Sequence, residues 1–276
     1  MYFKMNIDNV ALIIPTYPQH YTYIYNLLDK LKSNNVTIDI YLVFSNTAEY
    51  DLFTMKTEIN QLILPESTIT HSIVTFKKFF GLRHLSTTDK YDYFICCDSE
   101  TDIIPETFTR DNINNKINSI FEKKKIYSGH TTCWVNHVNS ECAKLFPNDY
   151  ENLRVKMQDF HLFSWWSDVP VYRRSDLSHF FELINYDNIT RYHFDYLIYQ
   201  NYLILHDGFE IINITPLTGI TFSLEELNLR ANDTGVLNTL IDIQYSFSWV
   251  TKSTFSMIPD FIKQQGCFMV YHLDRS

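Results

Sequence analysis

Two acidic residues, Asp98 and Glu100, stand one residue apart directly after a run of apolar and aromatic residues. If that run is a buried strand, both carboxylates lie on the turn that ends it and can face one ion. Their oxygens are the hard ligands that Mg²⁺ and Mn²⁺ prefer, and these ions keep positions open for phosphate oxygens. A cation there would neutralise a diphosphate leaving group and lower the barrier to breaking a glycosyl–phosphate bond. The alternative interpretation is a solvated turn, and Asp102 is an alternative second ligand.

The first half of the chain alternates predicted strands with predicted helices. The four strands cover 10–14, 37–44, 61–64 and 91–97, and the two helices cover about 21–32 and 74–85. Continuous apolar runs of this kind are typical of strands buried on both faces of a sheet. The order predicts an α/β fold with a Rossmann-like, mostly parallel sheet flanked by helices. Ligands of such sheets bind beyond the carboxyl ends of the strands, where Thr16, Ser45, Asn46, Asp98 and Glu100 stand.

The second half of the chain is less regular. A strand is predicted over 125–128, an aromatic loop over 160–172, a buried helix over 195–205, a strand over 209–214, a helix over about 223–240 and a strand over 267–272. Neither an internal repeat nor a linker interrupts the sequence. We therefore predict a single domain over 1–276.

Composition limits the classes of partner and compartment. The net charge of −9 lacks the basic surface that non-specific binding to nucleic acid needs, so we predict no nucleic-acid partner. No apolar run reaches the roughly 18–20 residues of a membrane span, which predicts no transmembrane segment and leaves open a peripheral contact with a membrane. The first residues lack the layout of a signal peptide, and the 5 cysteines are odd in number and widely spaced. Together these features predict a cytoplasmic protein with reduced thiols.

Four segments of the chain resemble GT-A fold glycosyltransferases, which use nucleotide-sugar donors. Residues 10–17 resemble the opening strand and loop that receive the nucleotide base, and residues 77–83 resemble the basic helix before the metal motif. Residues 93–100 resemble the strand that leads into the family's Asp-x-Asp motif, with Glu100 where Asp is usual. Residues 194–211 resemble the acid–helix–Gly–strand unit after the acceptor loop. The segments assign no subfamily, and the Asn-, Ile-, Tyr- and Lys-rich composition fits a bacterial or large-virus source.

The resemblance implies an enzyme that moves a sugar from a nucleoside diphosphate-sugar of the UDP or GDP type to a glycan or other hydroxyl acceptor. Mn²⁺ or Mg²⁺ would be held by Asp98 and Glu100. His272 is the candidate third ligand, because members of this fold often add a late histidine from a C-terminal segment. The nucleotide-binding half would cover 1–105, and a smaller acceptor-binding half with the C-terminal segment would cover 106–276.

The resemblance also implies roles for other side chains. In an inverting transfer, Asp195 is the candidate base that removes the proton of the acceptor hydroxyl, although Asp at this position also suits a helix N-terminus. Asp168 is the rival candidate for the base. Trp165 and Trp166 are candidates for stacking on a sugar ring. The candidate contacts to the nucleotide-sugar are Pro15, Thr16, Tyr17, Ser45, Asn46, Lys77, Lys78, Arg83, Asp98 and Ser99.

Three alternative functions stay open. A retaining transferase of the same fold would carry the same motifs, because they do not encode stereochemistry. A sugar nucleotidyltransferase usually has a glycine-rich phosphate loop after the first strand, whereas residues 15–20 contain no glycine. A non-enzymatic glycan-binding module would grip a sugar with aromatic side chains, but it would not need the acidic cluster.

Overall fold

The structure of the protein is a computed structural model that describes residues 9–34, 38–65, 73–104, 109–130, 134–163, 170–213, 215–218, 249–250 and 270–272. The strands are β1 (Val10–Pro15), β2 (Asp39–Phe44), β3 (Asn60–Ile63), β4 (Tyr93–Cys96), β5 (Thr101–Ile103), β6 (Lys125–His130), β7 (Leu162–Phe163), β8 (Val171–Arg173), β9 (Glu210–Asn213), β10 (Trp249–Val250) and β11 (Val270–His272). The helices are α1 (Tyr21–Ser33), α2 (Thr47–Leu52), α3 (Ile73–Leu85), α4 (Arg110–Lys123), α5 (Trp134–Lys144), α6 (Tyr150–Lys156), α7 (Arg174–Leu183), α8 (Asp195–His206) and α9 (Thr215–Thr218).

The central sheet has five strands in the order β3-β2-β1-β4-β8. Strands β1 to β4 pair in parallel, and β8 pairs antiparallel with β4. All six residues of β1 are buried, as expected for the middle strand of a sheet covered on both faces. The predicted α/β fold, with a mostly parallel sheet flanked by helices, is confirmed.

Two smaller sheets lie outside the central one. In the first, β6 pairs in parallel with β9 and antiparallel with β7. In the second, β11 pairs antiparallel with β5 and in parallel with β10. Because β5 directly follows the acidic turn, this pairing brings the late strand β11 beside that turn.

The elements agree closely with the predicted ones in the first half and less closely in the second. The predicted helices over 21–32, 74–85 and 195–205 are α1, α3 and α8, whereas α2, α4 to α7 and α9 were not predicted. The segment predicted as an aromatic loop contains β7 and the first residues of β8. Of the strand predicted over 267–272, β11 covers 270–272, and residues 267–269 lie outside the described residues. The helix predicted over 223–240 lies outside the described residues. None of the helices in the described ranges is long and apolar enough to cross a bilayer.

Helix α3 approaches the central sheet closely because Gly81 faces it without a side chain. A Cβ atom at this position would lie 2.9 Å from Cγ2 of Ile13 and 3.3 Å from Cγ2 of Val43. We expect Gly81→Ala to lower the free energy of unfolding by about 1–2 kcal/mol, because overpacking outweighs the gain of about 1 kcal/mol in helix propensity. Urea unfolding followed by circular dichroism measures this change. A midpoint equal to or above that of the wild type would show that α3 moves outward without cost.

Candidate active site

The carboxyl ends of β1, β2 and β4 meet at one edge of the central sheet. Thr16 follows β1 and continues its pairing with β2, because the Thr16 amide donates to the carbonyl of Val43 over 3.0 Å. On the other side of β1, the amide of Cys97 donates to the carbonyl of Ile13 over 3.0 Å. Asp98 therefore begins its turn directly beside the loop that follows β1.

Asp98 and Glu100 lie on a tight turn between β4 and β5. The amide of Thr101 donates to the carbonyl of Asp98 over 3.1 Å and closes the turn. Between the two acids, the hydroxyl of buried Ser99 donates to Glu100 Oε2 over 3.0 Å. The side chains of Asp98 and Glu100 keep 21% and 19% of their surface exposed. Both side chains are therefore partly exposed at the edge where ligands of parallel sheets bind.

His20 belongs to this site, although no sequence motif points to it. It ends the 3₁₀ helix Pro18–His20 after β1, and its Nδ1 lies 2.7 Å from Ser99 Oγ and 3.4 Å from Glu100 Oε2. Because the Ser99 hydroxyl donates to Glu100, Nδ1 acts as donor to that hydroxyl. The signal available in the sequence was the position of His20 in the loop after a strand that neighbours β4.

Lys78 of α3 joins the acidic turn to Asp195. Its ammonium lies 2.7 Å from Asp98 Oδ1 and 2.9 Å from Asp195 Oδ1. The side chain of Lys78 is only 3% exposed. Burial opposes the charged ammonium, but the carboxylates of Asp195 and Asp98 outweigh it and raise the pKa of Lys78 well above its ordinary value. The two carboxylates therefore favour the charged form of Lys78 beneath the turn.

Asp195 begins α8 and is almost completely buried, with 3% of its surface exposed. Its Oδ1 accepts from Lys78, and its Oδ2 accepts from the hydroxyl of Tyr172 over 2.5 Å. A general base needs a lone pair within reach of the proton that it removes. Each oxygen of Asp195 already accepts a hydrogen bond from a buried donor, as the oxygens of a counter-ion do. Asp168, Trp165 and Trp166 lie outside the described residues.

Lys77 is also buried, but it contacts a different part of the edge. Its ammonium donates to the carbonyl of Thr16, lies 3.3 Å from Glu49 Oε1 and stands 4.3 Å from the ring centre of Tyr17. Buried Glu49 also accepts from the Thr16 hydroxyl over 2.8 Å and from the Ser45 amide over 2.6 Å. Lys77 and Glu49 thus tie together the loops that follow β1 and β2.

The burial of Lys77 predicts a distinctive dependence of stability on pH. Burial lowers the pKa of Lys77 from 10.5 to about 8, and Glu49 offsets only part of this effect. Between these two values the unfolded chain binds more protons than the folded one, so the free energy of unfolding rises with pH, by up to about 3 kcal/mol. We expect Lys77→Met to remove this rise. Urea unfolding of the wild type and of Lys77→Met between pH 7.5 and about pH 9.5 tests this prediction. If the difference in free energy of unfolding between the two proteins does not change with pH, the prediction is wrong.

The other predicted donor contacts occupy three different environments. Pro15 ends β1 and is buried, and Ser45 follows β2 and is half-buried. Asn46 is exposed and caps α2, because its Oδ1 accepts from the amide of Glu49 over 2.8 Å. Arg83 lies on the opposite face of α3 from Lys78. There it lines a cavity of about 360 Å³ together with Pro65, Phe76, Phe80, His84 and Tyr186.

The two remaining candidate metal ligands belong to the paired strands β5 and β11. Asp102 lies on β5, and its Oδ2 accepts from the ammonium of Lys30 on α1. Asp102 therefore contributes to the packing of α1 against β5, whereas Glu100 shares the turn with Asp98. The backbone of His272 lies opposite Thr101 in the pairing of β11 with β5.

A divalent cation fits the chemistry of this donor set. Among the described residues, no group of three or more His, Cys, Asp or Glu side chains is arranged to hold an ion. Mg²⁺, however, is commonly held by one or two carboxylates together with substrate phosphates. Asp98 and Glu100 provide two partly exposed carboxylates on one turn. Two carboxylates can hold such an ion and leave its other positions open for the phosphate oxygens of a substrate.

Comparison with known proteins yields similarities among solved structures only. No protein-family model and no curated protein matches the chain. A glycosyltransferase involved in the glycosylation of the major capsid of PBCV-1 is 11% identical, with a TM-score of 0.41 over 97% of this chain and 93% of that chain. A mannosyltransferase from Pyrobaculum calidifontis, in complex with GDP-Man and Mn²⁺, is 11% identical, with a TM-score of 0.41 over 86% of this chain and 61% of that chain.

A third similar structure is a CMP:2-keto-3-deoxy-manno-octonic acid synthetase complexed with CTP. It is 8% identical, with a TM-score of 0.39 over 74% of this chain and 88% of that chain. The resemblance to glycosyltransferases read from the sequence is thus also found among solved structures. At identities of 8–11% and TM-scores of 0.39–0.41, these structures carry no function over to this chain.

Proposed function

We propose that this protein transfers a sugar from a nucleoside diphosphate-sugar to a hydroxyl group of a glycan or similar acceptor, with Mn²⁺ or Mg²⁺ at the acidic turn. The observation that carries the proposal is the turn itself. Asp98 and Glu100 present two partly exposed carboxylates at the carboxyl edge of a parallel sheet, beside the loop that follows β1. A cation bound there would neutralise the diphosphate group as its bond to the sugar breaks.

In this proposal the loop after β1 supplies one donor, the hydroxyl of Tyr17, for the phosphates of the nucleotide-sugar. The hydroxyl of Tyr17 is buried and has no hydrogen-bond partner among the described residues. Burial, together with the nearby carboxylate of Asp98, raises the pKa of Tyr17, so the phenol stays protonated. A protonated phenol can donate to a phosphate oxygen, which would remove the cost of leaving a buried hydroxyl unpaired.

In this proposal the nucleotide lies over the ends of β1 and β2. Thr16, Ser45 and Asn46 line that edge and are the candidate contacts to the base and ribose. Lys77 and Lys78 support the edge from beneath, since both ammonium groups are buried and paired with carboxylates. Ser99 acts through Glu100, because its hydroxyl donates to that carboxylate.

Asp195 and Asp168 are the two candidates for the base of an inverting transfer. Asp195→Asn separates the role of base from that of counter-ion. If Asp195 is the base, its replacement lowers kcat and leaves the affinity for Mn²⁺ unchanged. Because Asp195 contacts Lys78, we expect Asp195→Asn to weaken Mn²⁺ binding instead, by about tenfold or more. Mn²⁺ titration and steady-state kinetics of the variant distinguish the two results, and an unchanged Mn²⁺ affinity with lower kcat would assign the base to Asp195.

A thermal-shift panel tests the proposed function directly. The purified protein is heated with nucleoside diphosphates and their sugars, each with manganese and with EDTA. A ligand at one hundred times its Kd adds about 2.7 kcal/mol of stability, so the matching donor should raise Tm in manganese and not in EDTA. Indifference to every nucleotide and sugar donor would contradict the proposal. NMR of the product anomer then decides between inversion and retention.

A further inference from the structure

A chain of four side chains leads from the interior of the domain to the acidic turn. The hydroxyl of Tyr172 on β8 donates to Asp195 on α8 over 2.5 Å. Lys78 on α3 then contacts Asp195 at 2.9 Å and Asp98 at 2.7 Å. Elements from three different parts of the sequence thus converge on the turn that follows β4.

The inner three members of this chain are buried among packed strands and helices. Tyr172 is completely buried, lies opposite Phe94 in the pairing of β8 with β4, and packs its ring 4.7 Å from that of Tyr199. Asp195 stands in the first turn of α8, where the helix N-terminus stabilises a carboxylate. Lys78 lies within α3, which packs against β1. The ammonium of Lys78 therefore has a fixed place beneath Asp98.

The charges of this group leave Asp98 able to attract a cation. Lys78 carries one positive charge and faces two carboxylates, so Lys78, Asp98 and Asp195 together carry a net negative charge when both acids are ionised. Asp195, which is buried more deeply than Asp98, balances the ammonium. The ammonium can then fix the direction of the Asp98 side chain without cancelling the negative charge of the turn.

We propose that Lys78 is a positioning residue, anchored by Asp195 and Tyr172, that holds the Asp98 carboxylate in the orientation that binds the cation. This inference rests on the cation site of the proposed function. Residues that orient metal ligands from behind typically change metal affinity by 10–100-fold when they are replaced. The orientation of Asp98 therefore depends on a tyrosine hydroxyl that is linked to it through two intervening side chains.

Tyr172→Phe is the most conservative test, because it removes one hydroxyl and keeps the ring. Tyr199→Phe is its matched control. Tyr199 is also buried, and its hydroxyl donates to Asp176 over 2.6 Å, but this second pair continues to Arg173 and not to the acidic turn. Both variants lose one buried Tyr–Asp hydrogen bond, and Tyr199→Phe also loses the bond that its hydroxyl accepts from the Arg173 amide over 3.1 Å, so we expect Tyr199→Phe to lower Tm at least as much as Tyr172→Phe.

The first measurement is the affinity of the full chain for Mn²⁺ alone, from the electron paramagnetic resonance of the free ion. We expect Tyr172→Phe to weaken binding about tenfold or more, and Tyr199→Phe to stay within about threefold of the wild type. Equal Mn²⁺ affinity in Tyr172→Phe and the wild type would overturn the proposal.

The second measurement needs no metal and separates this proposal from the proposed function. A double-mutant cycle in EDTA combines Tyr172→Phe with Asp98→Asn and follows the unfolding equilibrium constant. We expect non-additivity of about threefold or more, since residues in one hydrogen-bonded network are coupled, and additivity when Tyr199→Phe replaces Tyr172→Phe. If the effects of the two substitutions on unfolding are additive in both cycles, the proposal that Tyr172 positions Asp98 is overturned. A wild-type protein that fails to bind Mn²⁺ would overturn the cation site, while the cycle would still decide whether Tyr172 and Asp98 are linked.

Discussion

Asp98→Asn is expected to lower metal-dependent sugar transfer by about 1,000-fold. The substitution keeps the size of the side chain and removes the charge that faces the cation. Metal ions stabilise transition-state charge by several kcal/mol, and each 1.4 kcal/mol corresponds to a factor of ten in rate. Initial rates with saturating manganese, and with the donor that raises Tm in the thermal-shift panel, measure the effect.

Asp102→Asn is the matched control for this substitution. Asp102 is close in sequence to Asp98, but its carboxylate accepts from Lys30 of α1. We therefore expect Asp102→Asn to retain transfer within about tenfold of the wild type, because loss of a partly exposed ion pair has a small effect. Transfer by Asp98→Asn above a tenth of the wild-type rate would refute the assignment of the cation to Asp98. An equal loss in both variants would make Asp102 the second ligand.

Lys78→Met is expected to lower the free energy of unfolding by about 3–5 kcal/mol. Methionine matches the length of the lysine stem but carries no charge. Its introduction would leave Asp195 buried without a balancing cation, and an uncompensated buried charge costs far more than the pair itself contributes. Urea unfolding at pH 7, followed by far-UV circular dichroism, measures the loss.

Lys90→Met is the control, because it makes the same replacement in an ion pair at the surface. Lys90 lies 2.8 Å from Asp39, but its side chain is 58% exposed. Exposed pairs contribute about 0–1 kcal/mol, so the control should be nearly as stable as the wild type. If Lys78→Met and Lys90→Met lower the free energy of unfolding equally, the contribution assigned to the buried pair of Lys78 and Asp195 is wrong. Partial recovery in Lys78→Met on addition of Asp195→Asn would identify the unpaired carboxylate as the cause.

The two lysines illustrate how helix geometry assigns different partners to neighbouring residues. Lys77 and Lys78 are adjacent, so their side chains leave α3 about 100° apart. One turns toward Glu49 and the loop after β1, and the other turns toward Asp98 and Asp195. In the sequence they form one basic pair in a helix, and a solvated helical face is the ordinary interpretation of such a pair.

The sequence alone was sufficient to predict the parallel sheet and the position of the acidic turn. Local patterns carry that information: Val10–Pro15 is apolar throughout because β1 is covered on both faces, and a strand must end before Asp98 and Glu100 can turn toward solvent. The pattern was weaker in α4, where Ile113 and Ile117 stand at helical spacing among several asparagines that favour helices poorly.

Only the tertiary structure decided which side chains meet at the site. His20 contacts Ser99 across 79 residues, and Lys78 contacts Asp195 across 117 residues. Such contacts depend on strand register and on the rotation of each helix about its axis, and a change of one residue in either would turn these side chains elsewhere. The sequence places Asp195 at the start of a helix, and only the fold shows that its carboxylate is buried between Lys78 and Tyr172. Periodicity shows which face of an element is buried, but only the assembled elements determine which charges lie opposite one another.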